Sequence, residues 1–240
     1  MKKTGFLFFC LCLSILVEGQ TWLEIGGKAL VGVTGYYNEN IINDPEHDFN
    51  LNAAISYGGA FGINFGEVHG LSFEGLYGKH LQAVTFGDDF IGNQVRNEVQ
   101  WSTFEAYLLY RLYSRTGLFL EAGPKMSFVR EVTQEFGTIR LDVEGVYEDQ
   151  YLSAVFGFGG LLAGSEFIAL KMGIRLEYAI DDFVTNEGQA LGYPSPYSSY
   201  ETYRETHPFR GTVYLELTFP LGRLGKQKCG LRGFMLSGPK

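Results

Sequence analysis

Residues 50–66 read N-L-N-A-A-I-S-Y-G-G-A-F-G-I-N-F-G. The odd positions carry Leu51, Ala53, Ile55, Tyr57, Gly59, Phe61, Ile63 and Phe65, and the even ones Asn52, Ala54, Ser56, Gly58, Ala60, Gly62 and Asn64. A period of two marks a β-strand whose two faces meet different surroundings. Strands of soluble proteins are usually about five or six residues long, and this one is far longer. One face is large and apolar. The other is too small for an ordinary solvated surface, and it suits the crowded inside of a tube whose outside meets lipid. A long strand of a soluble, lipocalin-like barrel is the competing reading of this stretch.

The same alternation recurs on both sides of it. In 23–35, Leu23, Ile25, Ala29, Val31 and Val33 share one face, and Glu24, Gly26, Lys28, Leu30, Gly32 and Thr34 the other. A third strand starts at Leu71, and its pattern blurs after Lys79, which predicts a bulge or the membrane rim there. Strands at 103–112 and 118–128 follow, the latter with Pro124 in mid-run, where a local break is expected. A Gly- and Phe-rich strand from Tyr151, one at 168–178 and a last one at 211–219 complete a set of eight. The polar connections around 36–49, 87–97, 130–150 and 181–208 are long, and those at 67–70, 114–117 and 163–166 are short. A soluble barrel has no reason to sort its loops in this way. An outer-membrane barrel does. The expected fold is all-β: an eight-stranded antiparallel up-and-down transmembrane β-barrel with short periplasmic turns and long extracellular loops.

Composition agrees with that reading. Thirty-two glycines and 15% aromatic residues suit close inner packing and aromatic girdles. A formal charge of −8 argues against a nucleic-acid partner. Lys2 and Lys3 precede an apolar run of 5–17, too short to span a bilayer, and Gly19 offers a cleavage point before Gln20. Residues 1–19 are therefore expected to be a secretory signal, 20–221 the barrel and 222–240 a basic tail. Cys10 and Cys12 follow bulky residues, which speaks against lipidation. Loss of two lysines and one glutamate leaves 17 bases against 26 acids, or −9, and a single cysteine, Cys229, which excludes an internal disulfide framework.

The run Y-L-L-Y-R-L-Y at 107–113, L-E-A-G-P at 120–124, F-G-F-G-G at 156–160 and the closing alternating strand resemble the small outer-membrane β-barrel proteins of Bacteroidota, the group called outer-membrane beta-barrel domain or PorT-like. The resemblance covers nearly all of the chain after the signal, and it implies an outer-membrane location and insertion by the barrel-assembly machinery. One departure stands out. Such barrels end on an aromatic residue, whereas Phe219 is followed by 21 residues that include Arg223, Lys226, Lys228, Arg232 and Lys240 and no acid.

The inward phase collects Glu24, Glu74, Glu105, Glu121, Glu177 and Glu216 with Lys28, Arg111, Lys125, Lys171 and Arg175, six acids against five bases. Charges in so narrow a space must be paired or wetted. They form either a salt-bridged plug or a polar path for ions or protons. Catalysis finds little support: His47, His69, His80 and His207 form no His-x-Ser pairing, and Asp88, Asp89, Asp181 and Asp182 are ordinary turn residues beside the remote alternative of a barrel hydrolase. Asp44, Glu46 and Asp48 alternate without the Gly-centred loop of a calcium site, so neither a metal nor a cofactor is expected. Tyr193, Tyr197, Tyr200 and Tyr203 lie in the longest loop, and tyrosine favours recognition surfaces. The chain thus reads as a non-enzymatic outer-membrane barrel. Its partners are outer-membrane lipid and an extracellular or secretion-system protein, with a narrow pore or a secretion-assisting component as alternatives.

Overall fold

The computed structural model describes residues 21–45, 47–86, 95–165, 167–196 and 200–224. Ten strands and two short helices follow one another as β1 (Thr21–Tyr37), α1 (Glu39–Asn43), β2 (His47–Asn50), β3 (Asn52–Phe65), β4 (His69–Phe86), β5 (Val95–Tyr113), β6 (Leu118–Phe136), β7 (Ile139–Leu141), β8 (Gln150–Gly164), β9 (Ala169–Ala179), α2 (Asn186–Ala190) and β10 (His207–Leu224). The expected signal, most of the basic tail with Cys229, and Asp88, Asp89 and Tyr197 lie outside the described residues.

Eight of the strands close on themselves. Each of β1, β3, β4, β5, β6, β8, β9 and β10 pairs antiparallel with the next, and β10 returns to pair with β1 from Thr21↔Leu224 to Tyr37↔His207. Closure leaves no edge along the wall, so every ladder group finds a partner without water. Burial alternates as the side-chain pattern demands. In β3, Ala53, Ile55, Tyr57 and Gly59 are exposed, while Ala54, Ser56, Ala60, Gly62 and Asn64 are buried. The outer wall displays Val31, Ile55, Phe73, Phe104, Leu120, Phe156, Leu176 and Leu215, with Val31 61% and Leu176 59% exposed. An apolar belt of this kind, around an interior of buried charge, is a lipid-facing surface.

Several strands run further than the alternation suggested. No bulge follows Lys79: β4 pairs with β5 in one register from His69↔Leu112 to Phe86↔Val95. The irregularity lies across from it, where the pairs Asn50↔Ala83 and Ile55↔Lys79 leave one extra residue between β2 and β3. The loop expected at 87–97 gives way to strand from Val95, and the loop expected from Arg130 gives way to the end of β6 and the β6–β7 hairpin. The closing strand starts at His207 and runs to Leu224, not 211–219. Pro124 does interrupt the β5–β6 ladder, between Tyr107↔Lys125 and Tyr110↔Ala122, without shifting its register.

The extensions share one cause. Beyond Thr103 the outward residues of β5 turn polar (Ser102, Gln100, Glu98, Arg96) and the inward ones include Trp101 and Val99. There the wall has left the hydrocarbon: headgroups and then water lie outside and packed loops lie inside, so the binary pattern inverts.

Adjacent glycines test the two-faced wall. A Cβ at Gly58 would collide with the Gly75 carbonyl and the Leu76 backbone, whereas at Gly59 it meets only Gly26 O at 3.8 Å. Gly58→Ala should lower the midpoint of heat-induced gel-mobility shift, by overpacking of about 1–3 kcal/mol, and Gly59→Ala should leave it in place. Equal midpoints would contradict the assigned faces.

Candidate functional site

Lumen and capped mouth

The interior is built by residues two apart on tilted strands, which stack their side chains in columns over the axis. All eleven charged residues expected inside are buried there. Together with one further base, Arg210, they sort into two layers, each electrically balanced.

The layer nearer the short turns holds Glu24, Glu74, Glu121 and Glu216 with Lys28, Arg111, Lys171 and Arg175. Arg175 donates to both Glu74 carboxylate oxygens (2.9 and 3.1 Å) and, through Nε and Nη2, to Glu121 Oε1 (2.9 and 2.7 Å). Arg111 grips Glu216 with two nitrogens (2.8 and 2.6 Å) and reaches Glu121 and Glu74 at 3.1 Å each. Lys28 lies 2.9 Å from Glu74 and 3.1 Å from Glu216, and Lys171 donates to Glu24 at 2.7 Å. Two-nitrogen grips of this type are the strong form of charged hydrogen bond.

The second layer contains a residue that alternation did not reveal. Arg210, which falls between the loop read as ending at 208 and the strand read from 211, lies on β10 with its guanidinium inside the barrel and 3% of its surface exposed. It donates to Glu177 (2.8 and 2.9 Å), Glu105 (3.1 Å) and Ser56 (2.6 Å). Lys125 completes the layer, 2.7 Å from Glu177. His80 lies 3.0 Å from Thr103 Oγ1 and 3.4 Å from Glu105. With Arg210 the six acids face six bases. Tyr107 and Tyr214 stand between the layers: the Arg175 guanidinium sits 4.9 and 5.1 Å from their ring centres, and Tyr107 donates its hydroxyl to Glu105 at 2.9 Å.

Above the charges an aromatic cap fills the long-loop end. Phe183 is fully buried among Trp101, Tyr147 and Tyr151, with ring centres at 5.4, 4.9 and 5.5 Å. Trp101 in turn stacks on His80. Polar contacts pin the loops that carry this cap. Gln134 and Asn97 both donate to the Pro194 carbonyl (3.0 and 3.1 Å), and Tyr147 donates to Gln134 at 2.6 Å. Asp182 accepts from the backbone of Val184 and Thr206, from Gln189 and from the Tyr203 hydroxyl (2.7 Å).

The residues weighed for loop chemistry are placed as follows. Tyr193 is buried against Tyr147 in the cap, Tyr200 donates to Asp44 at 3.0 Å and Tyr203 to Asp182. These three turn their phenols toward the protein. Asp181 accepts from the Leu152 backbone, and His207 stacks on Tyr178 beside Glu205, so neither is directed at a common reaction point. Among the described residues no cluster of His, Cys, Asp and Glu offers a metal its ligands.

No family model matches the chain, and no curated protein does. Solved structures with a similar layout include Neisserial surface protein A (11% identity, TM-score 0.43, covering 82% of this chain and 96% of that one). The outer membrane protein OprG from Pseudomonas aeruginosa gives 11%, 0.45, 85% and 96%. The outer membrane protease OmpT from Escherichia coli gives 10%, 0.34, 84% and 95%. The chemistry of the interior rests on this chain's own residues.

The cap carries a pH signature. Burial first, then the neighbouring phenols of Tyr36, Tyr193 and Tyr203, push Tyr147 well above the ordinary value of 10.0. Burial and the hydrogen bond to the Asp182 carboxylate push Tyr203 up as well. The unfolded phenols ionise first as pH rises, so this stability is complete below about pH 10 and is lost as pH climbs toward the raised values. Phenolate absorbance of the folded protein should lag that of the denatured chain above pH 10; coincident titrations would mean an open cap.

The lumen makes a second prediction. Arg175→Met leaves Glu74 and Glu121 to share Arg111 and Lys28, four acids against three bases in the layer, and breaking a buried pair costs about 3–5 kcal/mol. Leu176→Ala on the lipid face should shift the heat-unfolding midpoint far less, and a larger shift for Leu176→Ala would count against the charge network.

Proposed function

We propose that this protein is an integral outer-membrane barrel that does not conduct, and that its capped long-loop end faces the cell exterior as a binding surface. One observation carries this reading: six buried acids matched by six buried bases inside the wall, closed above by Phe183 and its neighbours. A conducting lumen needs a continuous wet path, and paired charges packed against rings leave none. The exposed apolar side chains Ile42, Ile139 and Leu191, on α1, β7 and the end of α2, supply contact area for a protein partner. Asp181 and Asp182 hold backbone and cap groups, which supports a role without catalysis.

A second reading, assistance to secretion as in PorT-like barrels, draws on the sequence after Leu224. Its bases follow a strand that ends at the short-turn side, the periplasmic side in this orientation. Removal of residues 225–240 that leaves the barrel inserted but blocks export of a secreted protein would favour it.

Two measurements test the main reading. In planar bilayers the purified protein should pass no steady current; a stable, ion-selective conductance would overturn the closed lumen. In a Cys229→Ser background on whole cells, an impermeant thiol reagent should label Asn43→Cys, Arg140→Cys and Leu191→Cys but not Glu67→Cys, Arg115→Cys or Phe167→Cys. The opposite pattern would invert the orientation.

A further inference from the structure

Among the described residues, few cations face outward at the height of the upper belt, and two of them, Lys79 and Arg130, lie at one level on either side of β5. We infer that Lys79 and Arg130 form a docking point for the phosphate of a lipid headgroup in the leaflet that surrounds the long-loop end; the inference rests on the membrane-spanning reading above. The geometry is set by strand register. Tyr77, Phe104 and Phe128 are direct cross-strand partners on β4, β5 and β6, and their side chains form an outward aromatic row. Aromatic rows of this kind mark the level where acyl chains give way to headgroups. One step further from the short turns, the outward position is Lys79 on β4, Ser102 on β5 and the bulge of β6, where Arg130 is the extra residue between Val129↔Thr103 and Glu131↔Ser102. The bulge turns both Arg130 and Glu131 outward.

Both cations are exposed, and neither forms an ion pair within the described residues. Arg96, further out on β5, is different: its guanidinium is held by Glu98 at 2.7 Å. Lys79 and Arg130 flank β5 alone, so their backbones stand two strand spacings apart, about 10 Å. The small Ser102 between them leaves the gap open. A long lysine stem rises from the apolar belt to place its ammonium among headgroups, and a guanidinium meets a phosphate with two parallel donors. Glu131, beside Arg130, and Asp142, Glu144 and Asp149, which line one hollow with Arg130, disfavour an extended polyanion along the whole rim and leave room for a single phosphate group on the side facing Lys79. At this height, directly above an aromatic row, the neighbour is lipid rather than a soluble protein.

The test uses the full chain in detergent with diphosphorylated lipid A, its dephosphorylated form, and inorganic phosphate. Retention of lipid on the folded barrel is read by native mass spectrometry, and folding by heat-dependent gel mobility. Phosphorylated lipid A should stay bound through delipidation more than the dephosphorylated form. Lys79→Gln with Arg130→Gln should bring its retention down to the dephosphorylated level, and Arg96→Gln should leave it high. Equal retention of both lipids, or no loss in the double variant, overturns the site. If inorganic phosphate at matched concentration displaces the lipid completely, the site is a plain phosphate site and the lipid assignment fails. Failure of the barrel reading itself shows elsewhere, as absence of the folded, faster-migrating species in any lipid.

Discussion

Closure between the first and last strands is the constraint on which everything else depends. Within a bilayer an unpaired backbone N–H or C=O costs several kcal/mol, so the ladder from Thr21↔Leu224 to Tyr37↔His207 is a condition of existence, not an ornament. A closed ring of eight strands has an interior just wide enough for side chains to fill. What fills it is then a packing problem. Gly159 and Gly173 give inward space to Phe119 and Tyr214, since a Cβ at Gly173 would press against the Tyr214 ring and one at Gly159 against Phe119, and Gly157 gives space to Glu121.

Charge balance is the second condition, and it holds layer by layer. Four acids meet four bases near the short turns, and two meet two above them. An excess of either sign in so dry a space would carry a large desolvation penalty. The tyrosines between the layers bridge them, accepting the guanidinium of Arg175 on their faces while Tyr107 directs its hydroxyl to the upper carboxylates.

Much of this was readable in the chain. Wherever lipid lies outside and the lumen inside, alternation assigned the faces, and all eleven charges named from it are buried in the structure. The reading failed where the surroundings changed. On β5 above Thr103, polar residues point out and Val99 and Trp101 point in, the reverse of the membrane pattern, so a strand resembled a loop. Arg210 was missed because Pro208 and the long polar segment before it disguised the first turn of β10; a proline is tolerated at such a strand start. The signal was present all the same: counting Arg210 inward turns five bases into six. The tyrosines of 193–203 were harder. Composition says that a tyrosine suits a surface, and only the packing of Phe183 and Asp182 decides which way each phenol turns. The runs that suggested a PorT-like group fall on β5, β6 and β8, where Arg111, Glu121 and Gly157 meet general demands of a filled barrel.

The reach of the ion pairs along the chain governs how such a molecule can be made. Arg175 and Glu74 are 101 residues apart, and Lys171 and Glu24 are 147 apart. Some pairs are local, such as Arg111 with Glu121 across the β5–β6 hairpin and Arg210 with Glu177 across β9–β10. Arg175, by contrast, reaches Glu74 and Glu121 only across the interior, and Glu24 reaches Lys171 only beyond β10. A partly inserted sheet would hold Arg175 and Glu24 in hydrocarbon without the partners that lie across the ring. Those groups find their partners only when distant strands face each other across a closed interior. Entry into the membrane and closure of the ring are therefore a single cooperative event for this sequence, and a curled, nearly closed sheet at the membrane surface is the natural precursor.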